Sequence, residues 1–356
     1  MTAPSAWNKA IREGILWSSR TDSVSSGPPT EDGTAVLNQT NVAAVARFTL
    51  RGANGRTVET IGEVPHRDRG QFTYSVVTAD YVTFVYVRTN GEAAQSLWDL
   101  YLFDRHTHRF DRVASNPTDV TGAPLQSGWV QPVMSAHYLY WLQGAQTGLP
   151  WGGSELQQYD LRTGVIKTLY RGLAENLVLM GHDILYTAVV RGTKRSVENP
   201  PVRLEARDEA TGALDSLPPG ISIGQDNPYV IYYADGTLVW GTPAGDLKAW
   251  RAEWGRSIEL MAVDWPISMK FGNAGPGHPK IYKQFIEWEP NSVYVFDLKT
   301  GSFARLLTKA GHAELTGSRL ALAWMIGPKP SFDDEHVPYD ESVIDLARMP
   351  DLPGCP

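Results

Sequence analysis

A short turn motif recurs along this chain, and no other feature restricts its fold so strongly. Asp104-Arg-His-Thr107, Asp160-Leu-Arg-Thr163-Gly164, Asp208-Glu-Ala-Thr211-Gly212 and Asp297-Leu-Lys-Thr300-Gly301 share the pattern Asp-x-x-Thr, three of them followed by Gly. The gap between the third and fourth copies is about twice the other spacings. A degenerate copy is therefore expected midway, and Arg251-Ala-Glu-Trp254-Gly255 stands there, keeping only the Gly. Extension backwards gives Arg51-Gly-Ala-Asn54-Gly55, and extension forwards gives Asp345-Leu-Ala-Arg348. The anchors at 51, 104, 160, 208, 251, 297 and 345 fall at near-even intervals, each close to the length of one four-stranded blade, which makes seven units.

The motif has the chemistry of a tight hairpin. An Asp carboxylate accepts hydrogen bonds from backbone N–H groups two or three residues on, and Gly supplies the positive φ that closes the turn. Strand-like runs flank it, such as Leu97–Phe103 and Ser292–Phe296 before the turn and Val165–Leu169 and Phe303–Leu307 after it. Upstream of each lies a more apolar run suited to an inner strand: Tyr81–Val87, Tyr138–Leu142, Ile184–Val190 and Leu320–Trp324. In the second unit, four strands fit near 72–78, 81–87, 97–104 and 109–114. Four antiparallel strands repeated seven times predict an all-β, seven-bladed β-propeller, a single domain over residues 1–356. A β-sandwich has no reason to repeat on this period.

The segments Ser292-Val-Tyr-Val-Phe-Asp-Leu-Lys-Thr-Gly301 and Leu156-Gln-Gln-Tyr-Asp-Leu-Arg-Thr-Gly164 resemble the blades of TolB-like propellers. The periodic pattern as a whole resembles the TolB-like and WD40-like families. Of the WD40 signature, Gly181-His182, Gly277-His278 and Gly311-His312 match one half, and only Trp98-Asp99 the other. The TolB-like resemblance implies a sensor or scaffold module of a bacterial envelope. At the seam, Pro350, Pro353 and Pro356 argue against a last strand after Asp345. An N-terminal strand near Ala6–Arg12 is expected to complete the seventh blade and cover its edge; the other reading places it first in blade one.

Composition agrees with this architecture. Twelve Trp, 15 Tyr and 10 Phe favour strands, and 33 Gly with 24 Pro provide turns. A net charge of −7 argues against a nucleic-acid partner. No apolar run is long enough to cross a bilayer, so no transmembrane segment is expected. The first residues lack the basic and apolar regions of a signal peptide, so the protein is either cytoplasmic or exported with its leader removed. The lone Cys355 excludes an internal disulfide and a Cys-rich metal site.

Function is expected on one face. The connections from second to third strand are long, at Arg88–Ser96, Gln143–Ser154, Arg191–Pro201 and Ile326–Glu341, as is the stretch from Ser19 to about Asp32. The opposite hairpins are minimal, and long loops in a compact domain usually have a use. Within these loops Trp141 and Trp151 are candidate sugar-stacking aromatics, although Trp141, at the end of an inner strand, also suits the core. Arg191, Lys194 and Arg195 suit an acidic ligand, or an ordinary charged loop. Asp333, Asp334 and Glu335, with His336 and the nearby Asp340-Glu341, offer oxygen ligands of the kind Ca²⁺ takes, but their spacing fits no established calcium loop. Apart from that ion, no cofactor is expected. His106 and His108 lie in a hairpin, away from the long loops, whereas His137, His182 and His278 sit near strand starts. Asn38-Gln-Thr40 spells a glycosylation sequon.

No Gly-x-Ser-x-Gly elbow or His-Glu-x-x-His occurs. The expected function is non-enzymatic binding of a protein or glycan through the long-loop face. The alternative is a polysaccharide-active lyase or hydrolase working in the axial depression, with Tyr, His and Arg from several blades as base and charge neutraliser.

Overall fold

The computed structural model describes residues 3–14, 16–21, 26–42, 44–65, 70–88, 97–125, 130–145, 153–190, 202–223, 228, 230–242, 246–261, 279–289, 292–307, 311–325 and 339–354. They form seven four-stranded antiparallel sheets, the blades of a seven-bladed β-propeller. In blades 1 to 6 the four strands follow one another along the chain. Blade 2 consists of Gln71–Val77, Tyr81–Arg88, Leu97–Asp104 and Arg109–Ser115, within a residue or so of the strands expected from the sequence. Blade 7 takes Gly311–Thr316, Arg319–Met325 and Tyr339–Asp345, and then Trp17–Thr21 from the N-terminus as its fourth strand.

The repeated motif has one structural meaning. Asp104, Asp160, Asp208, Arg251, Asp297 and Asp345 are the last residues of the third strands of blades 2 to 7, and Arg51 is the penultimate residue of that strand in blade 1. Asp160 Oδ1 accepts the N–H groups of Arg162 (2.9 Å) and Thr163 (2.7 Å). Asp208 Oδ1 accepts the N–H (2.8 Å) and hydroxyl (2.6 Å) of Thr211. Four residues past the anchor the backbone is left-handed: Gly55, Gly164, Gly212, Gly255 and Gly301 have φ between +62° and +74°, and His108 at +53° fills that place in blade 2.

A second regularity was not visible in the sequence. The residue after the anchor donates its N–H to a carbonyl in the turn between the first and second strands. Arg105 donates to Asp80, Leu161 to His137, Glu209 to His182, Leu298 to Gln284 and Leu346 to Ser318, at 2.8–3.0 Å. One edge of each of these blades is thus a pair of tight turns tied together. The second-to-third connections leave from the opposite edge.

Packing divides the chain into two units. One comprises Met1–Thr83, Leu102–Asp111 and Lys280–Pro356. Its N-terminal helix, Ser5–Glu13, buries Trp7, Ala10 and Ile11, which fall on one stripe at helical spacing. The Trp7 ring meets Phe285 edge-on (centroids 5.4 Å apart), and its Nε1–H donates to the Pro350 carbonyl at 3.1 Å. These residues join Val293, Val295, Leu320, Leu322 and Ile344 in one core. The other unit comprises Phe84–Tyr101 and Arg112–Pro279. In it Tyr140, Leu156, Ile184 and Tyr186 pack blade 3 on blade 4, and Leu185, Ala206, Leu238 and Trp240 pack blade 4 on blade 5.

The expectation at the seam needs correction. Residues Ala6–Arg12 are helical, and the strand that completes blade 7 is Trp17–Thr21, paired from Trp17↔Val343 to Thr21↔Tyr339. Gly14, at φ +60° with its N–H on the Ala10 carbonyl (2.8 Å), ends the helix and frees the chain for that strand. The strong apolar runs, such as Tyr81–Val87 and Tyr138–Leu142, form second strands, as the four-strand plan of the second unit expects. Asn38 of the sequon is a buried strand residue, closed to a glycan.

Candidate functional site

An assembly of interacting titratable groups lies on the first two strands of blade 6 and the first strand of blade 7. Blade 6 opens with Lys280–Tyr282 and turns back through Lys283 and Gln284 into Phe285–Trp288, so that Lys280 pairs across the sheet with Glu287. Glu289 follows that second strand directly. The first strand of blade 7 alternates: Ala313 and Leu315 enter the core, whereas His312 and Glu314 point the other way, opposite Ala323 and Ala321. The small alanine partners leave room beside the two polar side chains.

A continuous chain of charge results. Lys280 Nζ forms an ion pair with Glu314 Oε2. Glu314 Oε1 lies 3.1 Å from His312 Nε2, and His312 Nδ1 lies 3.1 Å from Glu289 Oε2. The Ala313 N–H donates to the other oxygen of Glu289. With a carboxylate at each ring nitrogen, both must donate, and His312 is an imidazolium. Burial opposes that charge, but Glu289 and Glu314 prevail and hold the pKa well above the usual histidine range. For Glu314 burial likewise opposes ionisation, and Lys280 and His312 overcome it, bringing the pKa down to about 2. Lys280 is raised: burial works against its charge, and Glu314 and Glu287 outweigh it.

Glu287 behaves differently. It is 1% exposed, and its Oε1 has no hydrogen-bond partner. Burial, and then the Glu289 charge, push its pKa well above the carboxylate range, against the pull of Lys280. Burial thus favours its protonated form, beside charged neighbours. The His312 side chain, 53% exposed, is the most exposed of the set.

Position gives this cluster its interest. Lys280 begins a first strand, Glu289 ends a second, and His312 stands one residue into another first strand. All three mark the edge from which inter-blade and second-to-third connections leave. Four of the second-to-third connections are long, Arg88 to Leu97, Ala145 to Gly153, Val189 to Val202 and Met325 to Tyr339, whereas Val42 to Val45, Gly241 to Leu247 and Trp288 to Tyr294 are short.

Among the sequence candidates, Trp141 is described. It is 1% exposed in the second strand of blade 3, and its Nε1–H donates to Gln143 Oε1 at 3.0 Å. Gln143 and Gln157 donate to Glu155 Oε2 at 3.2 and 2.8 Å, and Arg171 Nε lies 2.9 Å from Glu155 Oε1. This cross-strand polar ladder leads to Ala145 and Gly153, the two ends of the segment holding Trp151. Trp151, Arg191, Lys194, Arg195, Asp333, Asp334, Glu335 and His336 lie outside the described residues. Of the acidic stretch that follows, Glu341 is buried in an ion pair with Arg51.

His137 and His182 are exposed in first-to-second-strand turns, on the tight-turn edge. His106 Nε2 lies 2.7 Å from Asp80 Oδ1, also in turns. His278 is not described. An open cavity of roughly 260 Å³ lies on that edge in blades 1 and 2, beside Thr30, Asp32 and Arg105. Its Arg105 is already held by Glu59 (3.0 Å) and the Thr78 carbonyl (3.0 Å), so the cavity offers no free acid–base pair. Among the described residues, no three His, Cys, Asp or Glu side chains are arranged to hold a metal ion, and no helix is long and apolar enough to cross a membrane.

The sequence reading missed the cluster. Its trace was the alternation of charge with apolar residues in Glu287-Trp-Glu289 and His312-Ala-Glu314. Only the fold shows that these segments adjoin.

Known structures share this architecture. An oligogalacturonate lyase in complex with manganese superposes with a TM-score of 0.52, over 92% of this chain and 91% of that one, at 11% identity. A complex of KlAtg21 with the coiled coil of AgAtg16 gives a TM-score of 0.55 over 88% and 96%, at 10% identity. TolB from Acinetobacter baumannii, with a TM-score of 0.42, is similar over 87% and 80% at 14% identity. Likeness at such identities speaks for the propeller fold alone. No family model and no curated protein matches the chain.

Proposed function

We propose that this propeller is a non-enzymatic binding module that recognises a protein or a glycan through the edge bearing its long connections. The contrast between the two edges carries the reading. One is closed by paired turns, with the repeated Arg105, Leu161, Glu209, Leu298 and Leu346 hydrogen bonds. The other bears the long connections and, in blades 6 and 7, the Lys280–Glu314–His312–Glu289 chain. Keeping a rigid scaffold while lengthening loops on a single edge is how binding surfaces are built. Trp151, Arg191, Lys194 and Arg195 belong to those loops and are the proposed contact residues; Asp333, Asp334 and Glu335 are the proposed ligands of a Ca²⁺ ion, should one order the last of them.

The test compares wild type with the Trp151→Ala/Arg195→Ala double variant on a glycan array and in capture from envelope extracts. The double variant should lose capture while its melting temperature stays unchanged. Full retention of binding refutes the assignment of this edge.

One observation favours the alternative, a polysaccharide-active enzyme. Glu287, with its pKa raised by burial, stands beside Glu314, with its pKa lowered to about 2 by Lys280 and His312, and acid–base chemistry on sugars uses carboxyls whose pKa values are pushed apart in this way. A screen of acidic and neutral polysaccharides for new reducing ends or unsaturated products decides it; activity abolished in Glu314→Gln supports the enzyme, and no turnover across the screen dismisses it.

A further inference from the structure

We infer that Lys280, Glu287, Glu289, His312 and Glu314 form a subsite for an uncharged, hydroxyl-rich ligand, a neutral saccharide unit. The inference rests on the binding reading above and narrows its glycan arm to one chemical class.

Charge balance excludes the other classes. Lys280 and Glu314 neutralise one another, as do His312 and Glu289, and Glu287 adds nothing while protonated. An anionic sugar finds no unpaired cation here. A divalent ion would have to expel both Lys280 and His312 from the carboxylates, which are not arranged around a common point. What the cluster offers is hydrogen bonding of both senses: ammonium and imidazolium N–H donors, carboxylate acceptors, and a carboxylic acid that is both. A sugar hydroxyl donates one bond and accepts two, so it can enter such a network without disturbing its charge.

Glu287 is the independent sign of a missing partner. A buried polar atom without one forfeits its hydration for nothing in return, and native structures keep such atoms where a water or ligand completes them. Glu287 Oε1 is in that state, within electrostatic reach of the other four groups. Access runs past His312, the most exposed member of the set.

The experiment is calorimetric titration of the full chain with neutral oligosaccharides (malto-, cello-, xylo- and manno-series), with oligogalacturonate and chitosan oligomers as acidic and basic counterparts. At least one neutral series should bind. Glu287→Gln, which keeps the shape and a hydrogen-bonding edge, should hold affinity within about threefold, whereas Glu287→Leu should weaken it about tenfold, the worth of one buried hydrogen bond. Circular dichroism and melting temperature establish that both variants fold; if Leu is not tolerated, His312→Gln supplies the second reading and should also weaken binding. Binding confined to the acidic or basic oligomers overturns the inference, as does binding indifferent to both Glu287→Leu and His312→Gln, or no binding by any neutral series. Capture that is lost in Trp151→Ala/Arg195→Ala but insensitive to Glu287 and His312 leaves the broader reading standing and removes this subsite alone.

Discussion

Replacing Glu287 by Gln gives the sharpest test of the charge arrangement, because the variant copies the neutral acid without its ability to ionise. The folded protein holds a proton on Glu287 well above the ordinary value of 4.5, whereas the unfolded chain releases it near 4.5. Above that pH the unfolded state therefore binds one proton fewer, and stability must fall as pH rises. The slope is 2.303RT, about 1.4 kcal/mol per pH unit, and it persists until the folded carboxyl itself ionises. At 1% exposure, solvent screening does not dilute the effect. Gln has no such slope, so its advantage over wild type should grow by about 1.4 kcal/mol for each unit above 4.5. Urea unfolding followed by tryptophan fluorescence at several pH values between 5 and 8 measures the difference, and the pH at which the gap stops widening is the folded pKa. A gap that is flat across this range means Glu287 is ionised in the fold, and the neutral-subsite argument fails with it.

Four further outcomes follow. His312 should titrate above 6.5, its contribution to stability present at lower pH and fading as pH rises through its raised pKa; proton-detected histidine titration, assigned with His312→Gln, checks this, and titration at or below 6.5 contradicts the carboxylate clamp. Gly301→Ala should destabilise by about 1 kcal/mol, since φ is +66° and the left-handed cost of about 1–2 kcal/mol exceeds the gain from a stiffer unfolded chain; no neighbour lies within 4 Å of the new methyl, so a larger loss in chemical unfolding would point to a steric cause instead. Trp7→Ala should cost about 3–5 kcal/mol, and removal of residues 1–21 should leave the edge of Tyr339–Asp345 open and cause self-association on size-exclusion chromatography.

The blade count was readable because the turn chemistry is local. An Asp that caps its own turn and a Gly at positive φ leave their mark within a single turn, and that mark survives even where only Gly255 remains. The seam was harder. Trp7, Ala10 and Ile11 carry helical spacing over less than two turns, and the strand that closes the ring, Trp-Ser-Ser-Arg-Thr, has almost no apolar alternation. Its pairing is fixed by the open edge of Tyr339–Asp345, near the other end of the chain, which no local pattern reports. The charged cluster escaped for the same reason: Lys280 and Glu314 are ordinary surface residues until the fold sets their strands together. Trp141 shows the converse, since a tryptophan next to a long loop reads as a ligand platform, yet here its ring is buried and its N–H is bound to Gln143.

The two edges of the blades answer to different constraints, and this bears on where variation can be absorbed. On the tight-turn edge, each of the five Asp anchors is bound twice: its side chain accepts from its own turn, and the next N–H reaches the neighbouring turn. A change in length there breaks both bonds and shifts the register of two strands, so the edge must repeat, and its repetition makes the fold legible. On the other edge the hydrogen bonds join strand ends to inter-blade links, as from Val189 N–H to the Leu173 carbonyl (3.0 Å) and from the Ser154 hydroxyl to the Ala174 carbonyl (2.9 Å). The connections on this edge vary from the short link between Val42 and Val45 to the long one between Met325 and Tyr339, while the sheets they join keep one plan. Loop closure costs about 0.6 kcal/mol for each doubling of length, so even the longest of these extensions costs under about 2 kcal/mol. A propeller built in this way can acquire a recognition surface on one edge with little loss of stability. The first strands below that edge are then the natural place for a polar cluster, because their alternate positions point away from the core. Lys280, His312 and Glu314 occupy such positions, and Glu287, one strand further in, is the one member whose burial without a partner needs something from outside the chain to complete it.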